Sequence, residues 1–342
     1  MMAGRSRRGA VGLTVVAVIG VLAACSSPPA STSPTTGATS SSSSTTSSPP
    51  PSATTPAAPT LAKLTGGPVL AAKIDNTNAS RPRVGVGRAD VVYVEPVEAG
   101  LTRLLCVWSS SMPPEIGPVR SGRESDNHIL ADYGRVAFAF SGASAGTLAT
   151  LAQGTQVNLS FDASRTGFYR AGSRRAPYNV IGTTQTLLAR AGGSVTPLDP
   201  GLRYGPALPG GTPGTSVETA WMASRIALVW DAGRKRYLVT TDGRPDIDAD
   251  GTQHGAASVI VQVVHTYLSA NRDVNGVQSP IAEVVGSGAA TVLRDGRAWS
   301  GTWSRATPTA PTAYAIGGQD IPLAAGPVWI LLVPQGQAAS VH

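Results

Sequence analysis

Residues Lys73–His128 read KIDNTNASRPRVGVGRADVVYVEPVEAGLTRLLCVWSSSMPPEIGPVRSGRESDNH, and the middle of this stretch decides how the chain folds. Val91 to Glu95 and Leu101 to Trp108 are β-branched and apolar runs separated by the short Glu98-Ala99-Gly100 connection, which is the pattern of an antiparallel hairpin. Side chains alternate along a strand, so Leu101, Arg103, Leu105 and Val107 share one face, and Arg103 is carried by an otherwise apolar surface. Such a guanidinium needs a carboxylate. Glu95 and Glu98 lie just across the turn, and the following Gly117-Pro118-Val119-Arg120-Ser121-Gly122-Arg123 loop, stiffened by Gly and Pro, brings two further guanidinium groups to the same end. The stretch therefore marks a candidate site of acids and arginines without naming a reaction.

Upstream, Arg5, Arg7 and Arg8 precede an apolar run from Ala10 to Ala24, a charged region followed by a hydrophobic one of export-signal length and too short to span a bilayer. The run ends Leu22-Ala23-Ala24-Cys25, which resembles a bacterial lipobox, so residues 1–24 read as a lipoprotein signal peptide and Cys25 as the lipidated (palmitate-bearing) first residue of the mature chain. Acylation there would hold the protein on a membrane surface. From Ser26 to about Thr60 the chain is Ser, Thr, Pro and Ala without charge, too poor in large apolar groups to repay the entropy of folding, so residues 25–60 are expected to act as a tether. Loss of the signal lowers the formal charge from +7 to +4. No basic run with interleaved aromatics survives, which argues against nucleic acid, while a mild positive bias suits anionic wall polymers. Cys106, between Leu104 and Trp108 on its strand, reads as a buried small hydrophobe.

The remaining residues exceed one typical domain, and the Gly/Pro-rich stretch 205–216 is the clearest internal break. The expected class is α+β: a mixed α/β first domain over 61–204, a linker over 205–216, and a mostly β second domain over 217–342, arranged as a sandwich or partly closed barrel. Ser121-Gly122-Arg123-Glu124 fits a capping box that starts a helix, with Arg123 and Asn127 looking into the site and His128 elsewhere. Arg120 and Arg123 admit two readings, structural pairing with Asp75, Glu95 or Glu98, and anion binding. Gly142-Ala143-Ser144-Ala145-Gly146 matches a nucleophile elbow between strand and helix, but Ser144 equally suits a helix N-cap, and His254 and His265 both lie beyond the break. Asp246-Ile247-Asp248-Ala249-Asp250-Gly251 imitates the first half of a calcium loop, yet the twelfth position is Ala257 instead of Glu, so a polar turn is expected. Nothing else offers metal-ligand spacing, and no cofactor is expected.

The ordered set Lys73-Ile74-Asp75-Asn76, Arg81-Pro82, Ala89-Asp90-Val91-Val92-Tyr93, Glu98-Ala99-Gly100-x-Thr-Arg103, Gly117-Pro118-Val119-Arg120-Ser121-x-Arg123, Phe168-Tyr169-Arg170 and Arg174-x-x-Pro177-x-Asn179 resembles the YerB-like bacterial lipoproteins, a two-part domain of unknown function. The likeness continues through Asp248, Val259-Ile260-Val261-Gln262, Gly288, Asp295-Gly296-Arg297, Gly301-Thr302-Trp303 and Trp329-Ile330, so it covers nearly everything after the tether. Where that pattern usually has His before Asn179, this chain has Tyr178. The resemblance implies two domains without an assigned chemistry. The sequence thus predicts a lipid-anchored protein on the extracytoplasmic face of the cell membrane, binding an anionic cell-wall polymer or glycan through Arg103, Arg120, Arg123, Arg170, Arg174 and Asn179. The alternative is a cell-envelope hydrolase or transferase acting on glycan or peptide, with Asp75, Glu95 or Glu98 as acid or base.

Overall fold

A computed structural model describes residues 67–273 and 275–342; the signal segment, Cys25 and the tether lie outside the described residues. In chain order the principal strands are β1 (Leu70–Asp75), β2 (Val91–Pro96), β3 (Thr102–Trp108), β4 (Ala137–Phe140), β5 (Val157–Ser160), β6 (Phe168–Arg170) and β7 (Val180–Thr183). They continue with β8 (Ser216–Trp221), β9 (Ser224–Asp231), β10 (Arg236–Thr241), β11 (Ser258–Arg272), β12 (Gln278–Glu283), β13 (Gly286–Arg294), β14 (Arg297–Arg305), β15 (Ala313–Ile316), β16 (Val328–Pro334) and β17 (Ala339–Val341). The helices are α1 (Glu124–Leu130), α2 (Ala145–Leu151) and α3 (Thr184–Ala191). Among the described residues no helix is long and apolar enough to cross a bilayer.

The architecture is α+β, with strands of both halves in one mixed sheet that does not close into a barrel. Its central path runs β15-β14-β13-β11-β16-β2-β3-β1-β4-β5. The hairpin forms as its alternation predicts: β2 and β3 pair antiparallel with Val91 opposite Val107 and Glu95 opposite Arg103. At the far end of the chain, β16 (VWILLVP) lies between β2 and β11 and pairs in parallel with both. A strand buried on both faces is expected to read as a continuous apolar run, and this one does. The Gly/Pro-rich stretch carries a short strand, Thr212–Pro213, paired with β14. A second sheet, β10-β9-β8-β17 with short flanking strands, packs across one face of the first, and Val217, Ile226, Leu228 and Val239 join Leu104, Cys106 and Trp329 in one core cluster. On the opposite face α1 covers Leu105, Val107 and Ile330. Gly100, at the hairpin turn, has φ +68 and stands where a Cβ would come within 2.4 Å of Met222, so both backbone conformation and space require glycine there.

Candidate functional site

The period of two fixes the site. In β1, Leu70, Ala72 and Ile74 point into one core while Lys73 and Asp75 point to the other face, where Glu95 and Arg103 also project. The register places Asp75, Arg103 and Glu95 abreast on three neighbouring strands, an acid on either side of a guanidinium. The start of α1 then lowers Arg123 and Asp126 onto this row. The helix begins at Glu124, and the capping contact runs from the Arg123 N–H to Asp126 Oδ2 at 2.6 Å. The box expected at Ser121 and Glu124 is therefore displaced by two residues, because Ser121 is still part of the extended loop that leads out of β1's neighbourhood.

Two buried clusters result. Lys73 Nζ lies 2.5 Å from Glu95 Oε1 and 2.6 Å from Asp126 Oδ1, and all three side chains are almost wholly buried. Burial is the main cause that pushes the Glu95 carboxyl up to about 7; Asp126 adds to it and Lys73 opposes it. In the second cluster Arg123 forks onto Glu98, with Nε–Oε1 at 2.6 Å and Nη2–Oε2 at 2.7 Å, and the Ser279 hydroxyl donates to the same carboxylate from β12. Burial alone would raise Glu98, but the Arg123 hydrogen bonds and charge, helped by Ser279, outweigh it and hold the carboxyl down at about 2. A bidentate pair of this kind is the strong form of the ion pair.

Beside these clusters opens a cavity of about 230 Å³ lined by Asp75, Glu98, Arg103, Arg120 and Tyr178, with Asp273 and Asn275 contributed by the turn between β11 and β12. Its acids already have donors. Asp75 Oδ1 accepts from the Thr77 amide at 2.7 Å and its Oδ2 faces Arg120 Nη1 at 3.2 Å; Asp273 accepts the amides of Asn275 and Val277, each at 2.9 Å. Arg120 also lies over the Tyr178 ring, 5.3 Å from its centre. Arg103 differs. Among the described residues it makes no ion pair within 4.0 Å, and its Nη1 donates to the Ser121 carbonyl at 3.1 Å. Burial, then repulsion from Arg123 and Arg120, lowers its guanidinium to about 9, still a cation at neutral pH.

Of the residues the sequence singles out, Asp75, Glu98, Arg103 and Arg120 come together at the cavity, with Arg123 behind Glu98. Glu95 sits outside the lining, under α1. Arg170 donates to Asn179 Oδ1 at 2.7 Å and lies over Phe161, while Arg174 reaches the carbonyls of Ser80 and Pro82 at 3.1 and 2.6 Å. These three residues are not among the lining. Asn127, expected to look into the site, instead donates to the Thr150 carbonyl at 2.6 Å on the other side of α1. Ser144 has N-cap backbone angles (φ −63, ψ 157) before α2, and its hydroxyl meets Thr147 Oγ1 at 3.1 Å. Asp246 is turned to the Arg83 guanidinium, and Asp248 to the amides of Gly85 and Gly87 at 2.9 and 2.7 Å, so this pair pins the loop before β2. Lys73, Asp126 and Ser279 were missed by sequence reasoning. Lys73 carries a signal, a lysine inside the apolar run LAAKID, whereas Ser279 carries none, since it is far from Glu98 in the chain.

Residues 54–196 match the N-terminal domain, and residues 217–330 the C-terminal domain, of a family described as proteins of unknown function, DUF3048. A Bacillus subtilis (strain 168) protein named "Putative lipoprotein YerB" is 32% identical over 123 residues, covering 35% of this chain and 36% of that one. The aligned part thus spans about a third of that relative's length. The crystal structure of the YerB protein from Bacillus subtilis superposes with a TM-score of 0.68 at 21% identity, over 81% of this chain and 95% of that chain, a likeness of fold.

Proposed function

The chain belongs to the DUF3048 family of proteins of unknown function, and from that premise we propose that it is a membrane-anchored binding protein for an anionic cell-envelope ligand. The lipobox-like ending at Cys25 and the lipoprotein name of the Bacillus subtilis relative support anchoring, and the export-type signal before Cys25 supports an extracytoplasmic position for the folded part. The ligand enters the cavity beside β1 and β3, with Arg103 and Arg120 as donors.

The observation that carries the reading is Arg103. Every carboxylate around the cavity is already met by protein donors, whereas among the described residues this guanidinium makes no ion pair within 4.0 Å, donates to one backbone carbonyl, and is crowded by Arg123 and Arg120, with Glu98 and Asp75 only partly offsetting them. A phosphate or carboxylate seated there would relieve the repulsion and accept its remaining N–H groups. At about 30 Å³ per water the cavity holds roughly eight waters, enough for one anionic group and the unit that bears it. Acid–base catalysis by the same residues fits less well, because Asp75 and Glu98 are both engaged and Glu95 has no access to the cavity.

Titration calorimetry with inorganic phosphate and with a galacturonic acid trimer tests this. Binding that is lost in Arg103→Gln, with unfolding free energy kept within about 1 kcal/mol, is the expected result. Equal binding by the native protein and Arg103→Gln, or no binding of either anion by the native protein, would overturn it.

A further inference from the structure

A second cleft, of about 420 Å³, lies on the far side of α1 from the arginine cavity, between α1, the turn after α2, the β11–β12 hairpin and the loop after β14. Its character is different. The first cavity gathers two guanidinium groups and three carboxylates; this one sets neutral polar side chains, among them Asn127, Thr150 and Gln153, with His128, Tyr267 and a single carboxylate, Glu283, among apolar neighbours. The one carboxylate of the lining has a partner at the rim: Glu283 stands opposite His265 in the hairpin, and its Oε2 lies 3.1 Å from His265 Nδ1. The cleft therefore offers mainly uncharged hydrogen-bonding groups.

His128 supplies an oriented acceptor. Its ring is hydrogen-bonded to the backbone of Ala282, whose own N–H is already given to Ser125 Oγ at 3.0 Å, so the ring donates to the Ala282 carbonyl. Burial lowers the imidazole below its ordinary value, with Arg305 adding to this and Glu124 and Glu283 opposing, which leaves a neutral ring with one donor nitrogen and one acceptor. Opposite it, Tyr267 is 43% exposed although large and aromatic, and His265 stacks beside it at 6.1 Å with an interplanar angle of 25°. These rings form a flat apolar strip along the hairpin, next to amides, hydroxyls and a carboxylate. An aromatic face flanked by neutral acceptors and donors matches a ligand that presents C–H on one side and hydroxyl groups around its edge.

We propose that this cleft is a second binding site, specific for an uncharged glycan segment, with Tyr267 as the stacking platform and Gln153, His128 and Glu283 as partners for the sugar hydroxyls. The site is independent of the arginine cavity and of what that cavity binds. At about 30 Å³ per water the cleft has room for roughly fourteen waters, so it admits a short run of sugar rings instead of a single small group.

The test is titration of the full-length protein in detergent with two neutral probes, an N-acetylglucosamine tetramer and a glucose tetramer, read by chemical-shift change and calorimetry. Saturable binding of at least one probe is expected, weakened about tenfold in Tyr267→Ala, as for the loss of one aromatic contact, and several-fold in Gln153→Ala. Both side chains are exposed, so the variants should retain native melting temperature. Arg103→Gln should bind the neutral probes as the native protein does, which separates this site from the anion site. The inference is overturned if neither tetramer binds, if Tyr267→Ala and Gln153→Ala bind unchanged, or if Arg103→Gln abolishes binding of the neutral probe.

Discussion

Replacing Arg123 by alanine should unfold the site before it tells anything about a ligand. The guanidinium forks onto Glu98 at 2.6 and 2.7 Å, and both side chains are less than a tenth exposed. The carboxyl is held at about 2 against an ordinary 4.5, and at about 1.4 kcal/mol per unit this difference is worth about 3 kcal/mol of folding free energy. Because the folded-state value is the lower one, that stability is fully present above about pH 4.5 and is lost as pH falls toward 2. Arg123→Ala leaves the buried carboxylate without its guanidinium partner, for which a cost of about 3 to 5 kcal/mol at pH 7 is expected. Glu98→Gln leaves the Arg123 guanidinium buried against a neutral amide, so it too should destabilise the protein at pH 7, and it should remove the loss of stability between pH 4.5 and 2. Urea unfolding of the native protein, both single variants and the double variant at pH 7 and pH 3 measures all of this in one cycle. A cost below about 1 kcal/mol for Arg123→Ala, with anion binding gone, would refute the structural assignment and return Arg123 to the ligand.

Three further outcomes are expected. Cys25→Ser should move the protein from the membrane fraction to the soluble or secreted one, and unchanged detergent partitioning of the variant would contradict lipid anchoring. The carboxyls of Glu95 and Asp132 are each pushed up to about 7, mainly by burial, so their ionisation opposes folding; stability should fall as pH rises from about 4.5 through 7, and Glu95→Gln should flatten part of that fall in denaturation midpoints taken at pH 5 and pH 8. Cys106 is fully buried and burial pushes its thiol up, so mass spectrometry should find it unalkylated in the native protein and labelled once denaturant is added.

How far the site was legible depends on sequence distance. The hairpin and its charged face followed from alternation alone, because Arg103 shares a face with Leu105 and Val107 whatever lies around them. Its register partner Glu95 was also within reach, since the turn between them is short. Division of labour among the arginines was not. Arg123 and Arg120 stand three residues apart on one loop, and only the placement of α1 against β12 sends the first onto Glu98 and leaves the second at the cavity with Tyr178. The capping box illustrates the same limit: Ser121 and Asp126 are both sound capping residues, and the loop's path, not local preference, chose the later start.

What the sequence determined by itself is therefore local and periodic: an apolar run ending in the lipobox-like Cys25, strand after strand of period two, a guanidinium on an apolar face, a buried cysteine between Leu104 and Trp108. What only the tertiary structure decided is non-local. The last long strand, Val328–Pro334, inserts between β2 and β11, so residues from both ends of the chain share one sheet. That insertion brings the β11–β12 hairpin over the start of α1, supplies Ser279 to Glu98 and Asp273 and Asn275 to the cavity rim, and opens the second cleft behind His128. Strand pairing across more than two hundred residues is set by how whole faces bury against one another, and no short window of residues encodes it.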